Sequence, residues 1–176
     1  MAFNLYNIAA YQVAWFAVIL GAARGFAWAG AAIALLVTAV HVWMKRDALD
    51  FRLIGLAAII GLLVDSTLAM TGQIRFEESW PANLAPYWML SLWIVFATTL
   101  NHSLRWLMHR PAAAALAGVI GGPLAYLAGA KLGALTIVTP VITLPVIALL
   151  WTPAMIALSM IVLRASTTAP AARMPA

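Results

Sequence analysis

The chain has no cysteine and little charge: only 9% of its 176 residues are Asp, Glu, Lys or Arg, and only five of those are acidic. The missing cysteine excludes disulfides, thiolate catalysis and cysteine-held metals. The scarcity of charge excludes an ordinary soluble domain, in which about a quarter of residues are charged. No Lys or Arg precedes the first apolar run. The basic region of a cleavable signal peptide is therefore lacking, and the first helix is expected to be retained. What fills the chain instead is apolar: 65% of residues are hydrophobic, and the mean hydropathy is +1.00. A water-soluble globule of this length could not hide that surface. The solvent for most of it is lipid, and the bilayer is the first expected partner.

A membrane-crossing helix takes about 20 apolar residues, which leaves room for six spans and short loops. The apolar runs lie at about 5–23, 25–44, 53–70, 87–108, 112–130 and 142–164. The expected fold class is all-α, a polytopic membrane helix bundle of about six transmembrane helices. It forms one domain over residues 1–164, followed by a flexible cytoplasmic tail at 165–176. The net charge of +5 does not point to nucleic acid, because the basic residues sit at the ends of apolar runs, where bilayer orientation accounts for them. Lys45, Arg46, Arg52, Arg105, Arg110, Arg164 and Arg173 fall on one side, and Arg24, Arg75 and Lys131 on the other. That asymmetry predicts both termini in the cytoplasm, with an inner-membrane location. Trp43 and Trp106 then lie at the inner interface and Trp80, Tyr87 and Trp88 at the outer one, where amphipathic rings prefer to sit.

The last two spans are rich in glycine and proline. Gly118 with Gly122 and Gly129 with Gly133 form two small-xxx-small pairs, the usual device for close helix packing in lipid. Pro140, Pro145 and Pro153 predict kinks or a broken start to the sixth helix.

Ionisable groups inside a span cost about 2.5–3.5 kcal/mol at the helix centre on insertion scales, so each needs a partner or a purpose. Asp65, about a dozen residues into the third span, is the clearest. Arg24 and Lys131 are its candidate partners by topology. It either carries a proton or a cationic ligand, or it is a structural ion pair or protonated acid. The fourth span holds Thr98-Thr99-Leu100-Asn101-His102-Ser103-Leu104-Arg105, in which Thr98, His102 and Arg105 share one face of a continuous helix. The same depth holds Asn7, Tyr11 and Gln12 of the first span and His41 of the second. The candidate ligand-binding set is therefore Gln12, His41, Thr98, Asn101, His102 and Arg105, with interhelical hydrogen bonding as the alternative.

Enzyme templates mostly fail. His41, His102 and His109 include no i, i+4 pair and no acid positioned among them. Asp47 and Asp50 read as loop residues, so no metal site and no cofactor are expected. Glu77 and Glu78 read as a solvated outer loop. Gly121-Gly122-Pro123 lacks the Lys-Ser/Thr of a phosphate-binding loop, and no glycine-framed serine elbow is present. The chain reads as more transporter-like or binding-like than enzymatic.

Several phrases occur together in a specific order. They are Tyr11-Gln12-Val13-Ala14-Trp15-Phe16 with Leu20-Gly21-Ala22, Asp65 before Gly72, and Pro86-Tyr87-Trp88-Met89 leading to Leu92-Trp93. Phe96 to Leu104 follows, then Gly121-Gly122-Pro123-Leu124-Ala125-Tyr126 with Gly129 and Leu132-Gly133-Ala134. In this combination the chain resembles a family of small bacterial inner-membrane proteins catalogued as a domain of unknown function (family two-eight-seven-eight). The resemblance implies gene neighbours among lipid-modifying methyltransferases of the cyclopropane-fatty-acid-synthase kind, and hence a role in envelope lipid chemistry. It marks Gln12, Asp65, Trp88, Trp93, Asn101, His102, Gly122, Pro123 and Tyr126 as motif positions.

Three functions follow as expectations. The first is binding or hand-over of a lipid or other amphipathic molecule, with lipid-modifying enzymes or other membrane proteins as partners. The second is a small-solute permease or transporter subunit, which should show a polar cavity lined by Asp65. The third is a non-catalytic assembly partner with an exposed seam at Gly118 and Gly122.

Overall fold

The computed structural model describes residues 2–168. Among them the chain forms α1 (Ala2–Ala23), α2 (Ala27–Lys45), α3 (Ala48–Met70), β1 (Ile74–Phe76), α4 (Tyr87–Leu100), the single turn α5 (Arg105–Met108), α6 (Pro111–Lys131), β2 (Leu135–Ile137) and α7 (Pro140–Thr168). Five of these helices, α1, α2, α3, α6 and α7, are long and apolar enough to cross a bilayer. The protein is an all-α multi-pass membrane bundle. Residues 165–168 of the expected tail are helical, since α7 runs through Thr168; the rest of it, with Arg173, lies outside the described residues.

The central helix is the short one. In α4, ten of fourteen residues are buried, the pattern of a helix enclosed on all sides, and it packs against α1, α2 and α3. Fourteen residues rise only about 21 Å, less than a hydrocarbon core. The expected continuous span to residue 108 is corrected: the helix stops at Leu100, residues 101–104 form turns, and α5 restarts the path. The hydroxyls of Thr98 and Thr99 donate back to the carbonyls of Val95 and Phe96 at 2.7 Å each. The Thr99 carbonyl collects the amides of Asn101, His102 and Leu104. Side-chain donors and turn bonds thus replace the helical ladder, which is tolerable at this depth because protein surrounds it.

Between α2 and α3 only Arg46 and Asp47 intervene. Arg46 closes α2 in the left-handed conformation, with φ 49°. Asp47 caps α3 by accepting from the Leu49 amide at 2.9 Å. The third helix therefore starts at Ala48, five residues earlier than its apolar run suggests, because a cap and a first-turn acid suit a helix N-terminus.

At the opposite end, β1 and β2 pair antiparallel, with Ile74 opposite Ile137 and Phe76 opposite Leu135. Sequence alone gave only loops there. The ladder ties the loop after α3 to the loop after α6, and Thr143 Oγ1 of α7 adds a 2.6 Å bond to Gln73 Oε1. Glu78 is not merely solvated: its carboxylate accepts from the first amide of α2, at Ala27, over 2.9 Å.

Helices α6 and α7 pack along the glycine seam. A Cβ at Gly118 would lie 2.7 Å from the Trp151 carbonyl oxygen, and one at Gly122 would lie 2.6 Å from the Trp151 ring. The seam is filled from within the chain, so the exposed seam expected of an assembly partner is absent there. Gly133 is not part of a helix face but a turn residue with φ +86°. Pro145 and Pro153 lie inside α7, which is continuous from Pro140, so the broken start is corrected as well.

This geometry separates two neighbouring glycines. Gly118→Ala should lower stability by about 1–3 kcal/mol through overpacking. Gly121→Ala, whose Cβ would meet nothing within 4 Å, should be neutral or stabilising by up to about 1 kcal/mol. Thermal unfolding in detergent, followed by loss of monodispersity, compares the two directly.

Candidate functional site

A polar cluster forms where α1 and α3 begin and α2 and α4 end. The two-residue α2–α3 turn folds His41 back onto Asp50. The break after Leu100 delivers Asn101 and His102 from the other side. Asp50 Oδ2 accepts from Nε2 of His41 and from Nε2 of His102, each at 2.9 Å. Asp50 Oδ1 accepts from Asn101 Nδ2 at 3.0 Å, and the same amide reaches Asp47 Oδ2 at 3.1 Å. The side chains of His41 and Asp50 are almost wholly buried, whereas that of His102 is 13% exposed. Phe3 lies against both imidazoles, with ring centroids at 6.0 and 5.3 Å, and Lys45 Nζ sits 3.4 Å from the centre of the Phe3 ring.

Asn7 sets the tautomer of His41. Its Oδ1 accepts from the Ser103 amide at 3.4 Å and hydroxyl at 2.6 Å, while its Nδ2 donates to the Thr98 carbonyl at 3.2 Å. A backbone amide can only donate and a carbonyl can only accept, so the carboxamide has one orientation. Its Nδ2 also faces His41 Nδ1 at 3.4 Å, which makes Nδ1 the acceptor and leaves the ring proton on Nε2, aimed at Asp50.

The predicted set is partly assembled. His41, Asn101 and His102 meet, and Thr98 joins through its backbone carbonyl while its hydroxyl turns to Val95. Gln12 and Arg105 are exposed, on α1 and α5; neither side chain bonds to the cluster among the described residues. The helix face supposed to align Thr98, His102 and Arg105 ends at Leu100. The reading that no acid stands among the histidines is corrected by Asp50. The pattern Asp47-x-x-Asp50, a cap followed by a first-turn acid, could have placed Asp50 on a helix beside His41.

Asp65 is the second polar centre, 0% exposed in the last third of α3. Its partners are neither Arg24 nor Lys131. Trp93 Nε1 donates to Oδ2 at 2.8 Å, and the Tyr126 hydroxyl donates to Oδ1. Trp93 fits there because Gly61 has no Cβ to meet its ring, and it stacks on Trp151 with centroids 4.4 Å apart. Beside these rings opens a narrow apolar crevice, partly open to the outside. It is lined by Tyr11, Trp15 and Ile19 of α1, by Trp93 and Phe96 of α4, and by Tyr126 and Trp151 among others.

The profile of a family described as protein of unknown function (DUF2878) matches residues 4–157. The chain belongs to that family. The match takes in the cluster, Asp65 and the crevice, so both centres lie within the DUF2878 domain. No curated protein and no solved structure matches the chain.

The Asp65 geometry predicts graded damage. Asp65→Leu leaves the Trp93 and Tyr126 donors without partners, at about 1–3 kcal/mol for each. Asp65→Asn keeps an acceptor for one of them and should fall between Asp65→Leu and the parent chain. Chemical or thermal unfolding of the three proteins in one detergent gives the order.

Proposed function

We propose that this DUF2878 protein holds one amphipathic membrane molecule, its apolar chain in the aromatic crevice and its polar end toward the histidine–carboxylate cluster. The observation that carries this reading is a single stripe on α1. Asn7, Tyr11, Trp15 and Ile19 recur every four residues and so share one helix face. Asn7 belongs to the cluster and the other three line the crevice. One side of one helix therefore runs from polar groups to an apolar slot, the arrangement an amphipath needs. The slot is lined by apolar side chains of α1, α4, α6 and α7, and in a bilayer the molecules at hand for such a slot are acyl or isoprenoid chains. In the orientation that the distribution of basic residues predicts, the cluster faces the cytoplasm.

A permease for small polar solutes fits less well. Asp65 lies behind Trp93 and Tyr126 rather than on a polar wall, and the crevice lining is aromatic and aliphatic.

The test blocks the slot. Ala125 lines the crevice, and Ala125→Trp fills it. Protein extracted in a lipid-preserving polymer is compared by native mass spectrometry and lipidomics. The parent chain should carry one enriched lipid or lipid-like species in near one-to-one ratio, which Ala125→Trp loses while staying monodisperse. The same bulk lipid profile from both proteins would remove the proposal.

A further inference from the structure

We propose that His41, Asp50 and His102 form a binding site for a divalent transition-metal ion of the Zn²⁺ class, with a fourth coordination position left open beside His102. The three ligand atoms all lie within 4.8 Å of one another, and both imidazole Nε2 atoms stand 2.9 Å from the same carboxylate oxygen. Ligands around a tetrahedral Zn²⁺, bonded at about 2.0–2.1 Å, are themselves separated by little more than this, so small side-chain rotations admit an ion. Two imidazoles and one carboxylate are a donor set that first-row transition ions favour over Mg²⁺ or Ca²⁺.

Placement points the same way. Asp50 occupies the third position of α3, where an acidic side chain ordinarily reaches back to the capping residue's amide. Here Asp47 bonds the Leu49 amide, and both Asp50 oxygens turn instead to the imidazoles and Asn101. Asn101 steadies the carboxylate from behind, as outer-shell groups do for metal ligands. Two ligands are buried and the third is 13% exposed, which gives an ion an access route and leaves room for water or the polar end of a ligand. The inference rests on the cluster alone and stands apart from the occupancy of the crevice.

Metal binding changes one tautomer. Without an ion, His41 carries its proton on Nε2. With Nε2 on the metal, that proton moves to Nδ1 and faces Asn7, whose carboxamide must turn to present Oδ1. A carboxylate at that position would accept the proton with no rotation, in the carboxylate–histidine–metal arrangement. Asn7→Asp should therefore tighten the site, which a purely structural hydrogen-bond cluster would not do.

The experiment uses the full chain in lipid nanodiscs, purified with a tag free of histidine and stripped with chelator. Zn²⁺ is the probe, measured by titration calorimetry and by elemental analysis after dialysis. The expected result is one ion per chain, lost in His102→Ala and Asp50→Asn and held at least about tenfold more tightly by Asn7→Asp. If Asp50→Asn does not fold, His102→Ala and Asn7→Asp decide between them. Retention of Zn²⁺ by the parent chain no greater than by His102→Ala overturns the site.

Discussion

In hydrocarbon, a helix that stops short must find partners inside the protein for its last carbonyls, because no water is there to accept the task. Helix α4 stops at Leu100, and much of the architecture at that end answers to it. Thr98 and Thr99 fold their hydroxyls back onto the preceding turn. Asn7 crosses from α1 to take the Thr98 carbonyl. Asn7 needs its own acceptor filled, and Ser103 does so from the turn beyond. The same turn carries Asn101 and His102 to Asp50, so the carboxylate in the first turn of α3 and the imidazole in the last turn of α2 have one place to meet. The cluster is a consequence of ending the central helix early.

The two polar centres solve the problem of charge in lipid differently. Asp50 sits at a helix N-terminus, where the dipole favours an anion, and takes three side-chain donors from two separate segments. Asp65 has no helix end and no cation. It relies on two aromatic donors, a Trp N–H and a Tyr O–H, that bring large apolar bodies with a single polar tip. A charged partner would have doubled the number of ions to be kept from water, whereas an aromatic donor satisfies the oxygen and adds packing.

Much of the fold was legible in the sequence, because span length is a physical quantity that composition reports directly. Five helices fall where runs of about 20 apolar residues lie. The break in α4 was not legible: Asn101 to Arg105 is as compatible with a polar helix face as with a turn, and what decides is the company of α1 and α3, which periodicity does not contain. Arg105 shares a face with Thr98 and His102 only on a continuous helix, and depth alone groups Gln12 with them without saying which way its helix face turns; both are exposed. Asp50 reads as a loop charge because the apolar run begins at Leu53, although the cap at Asp47 carries the contrary signal. Charge alone points Asp65 toward cations, whereas its partners are the aromatic donors Trp93 and Tyr126, which carry no charge to mark them.

The position of Asp65 also bears on the crevice. Flexible side chains around an apolar gap would simply collapse into it, or acyl chains would fill it without preference. The rings here are not free to collapse. Trp93 is pinned by Asp65 and seated in the space that Gly61 leaves. Tyr126 is pinned by the other oxygen of the same carboxylate, and Trp151 lies stacked on Trp93 and pressed onto Gly118 and Gly122. One buried carboxyl thus holds two walls of the slot, and through the stacked indoles it steadies a third. A wholly buried acid within a span carries a cost on insertion, which is hard to account for by packing that an apolar residue would achieve as well. It is easier to account for if what Asp65 secures is shape: rigid rings, few rotamers, and an opening that keeps its form when the bilayer around it does not.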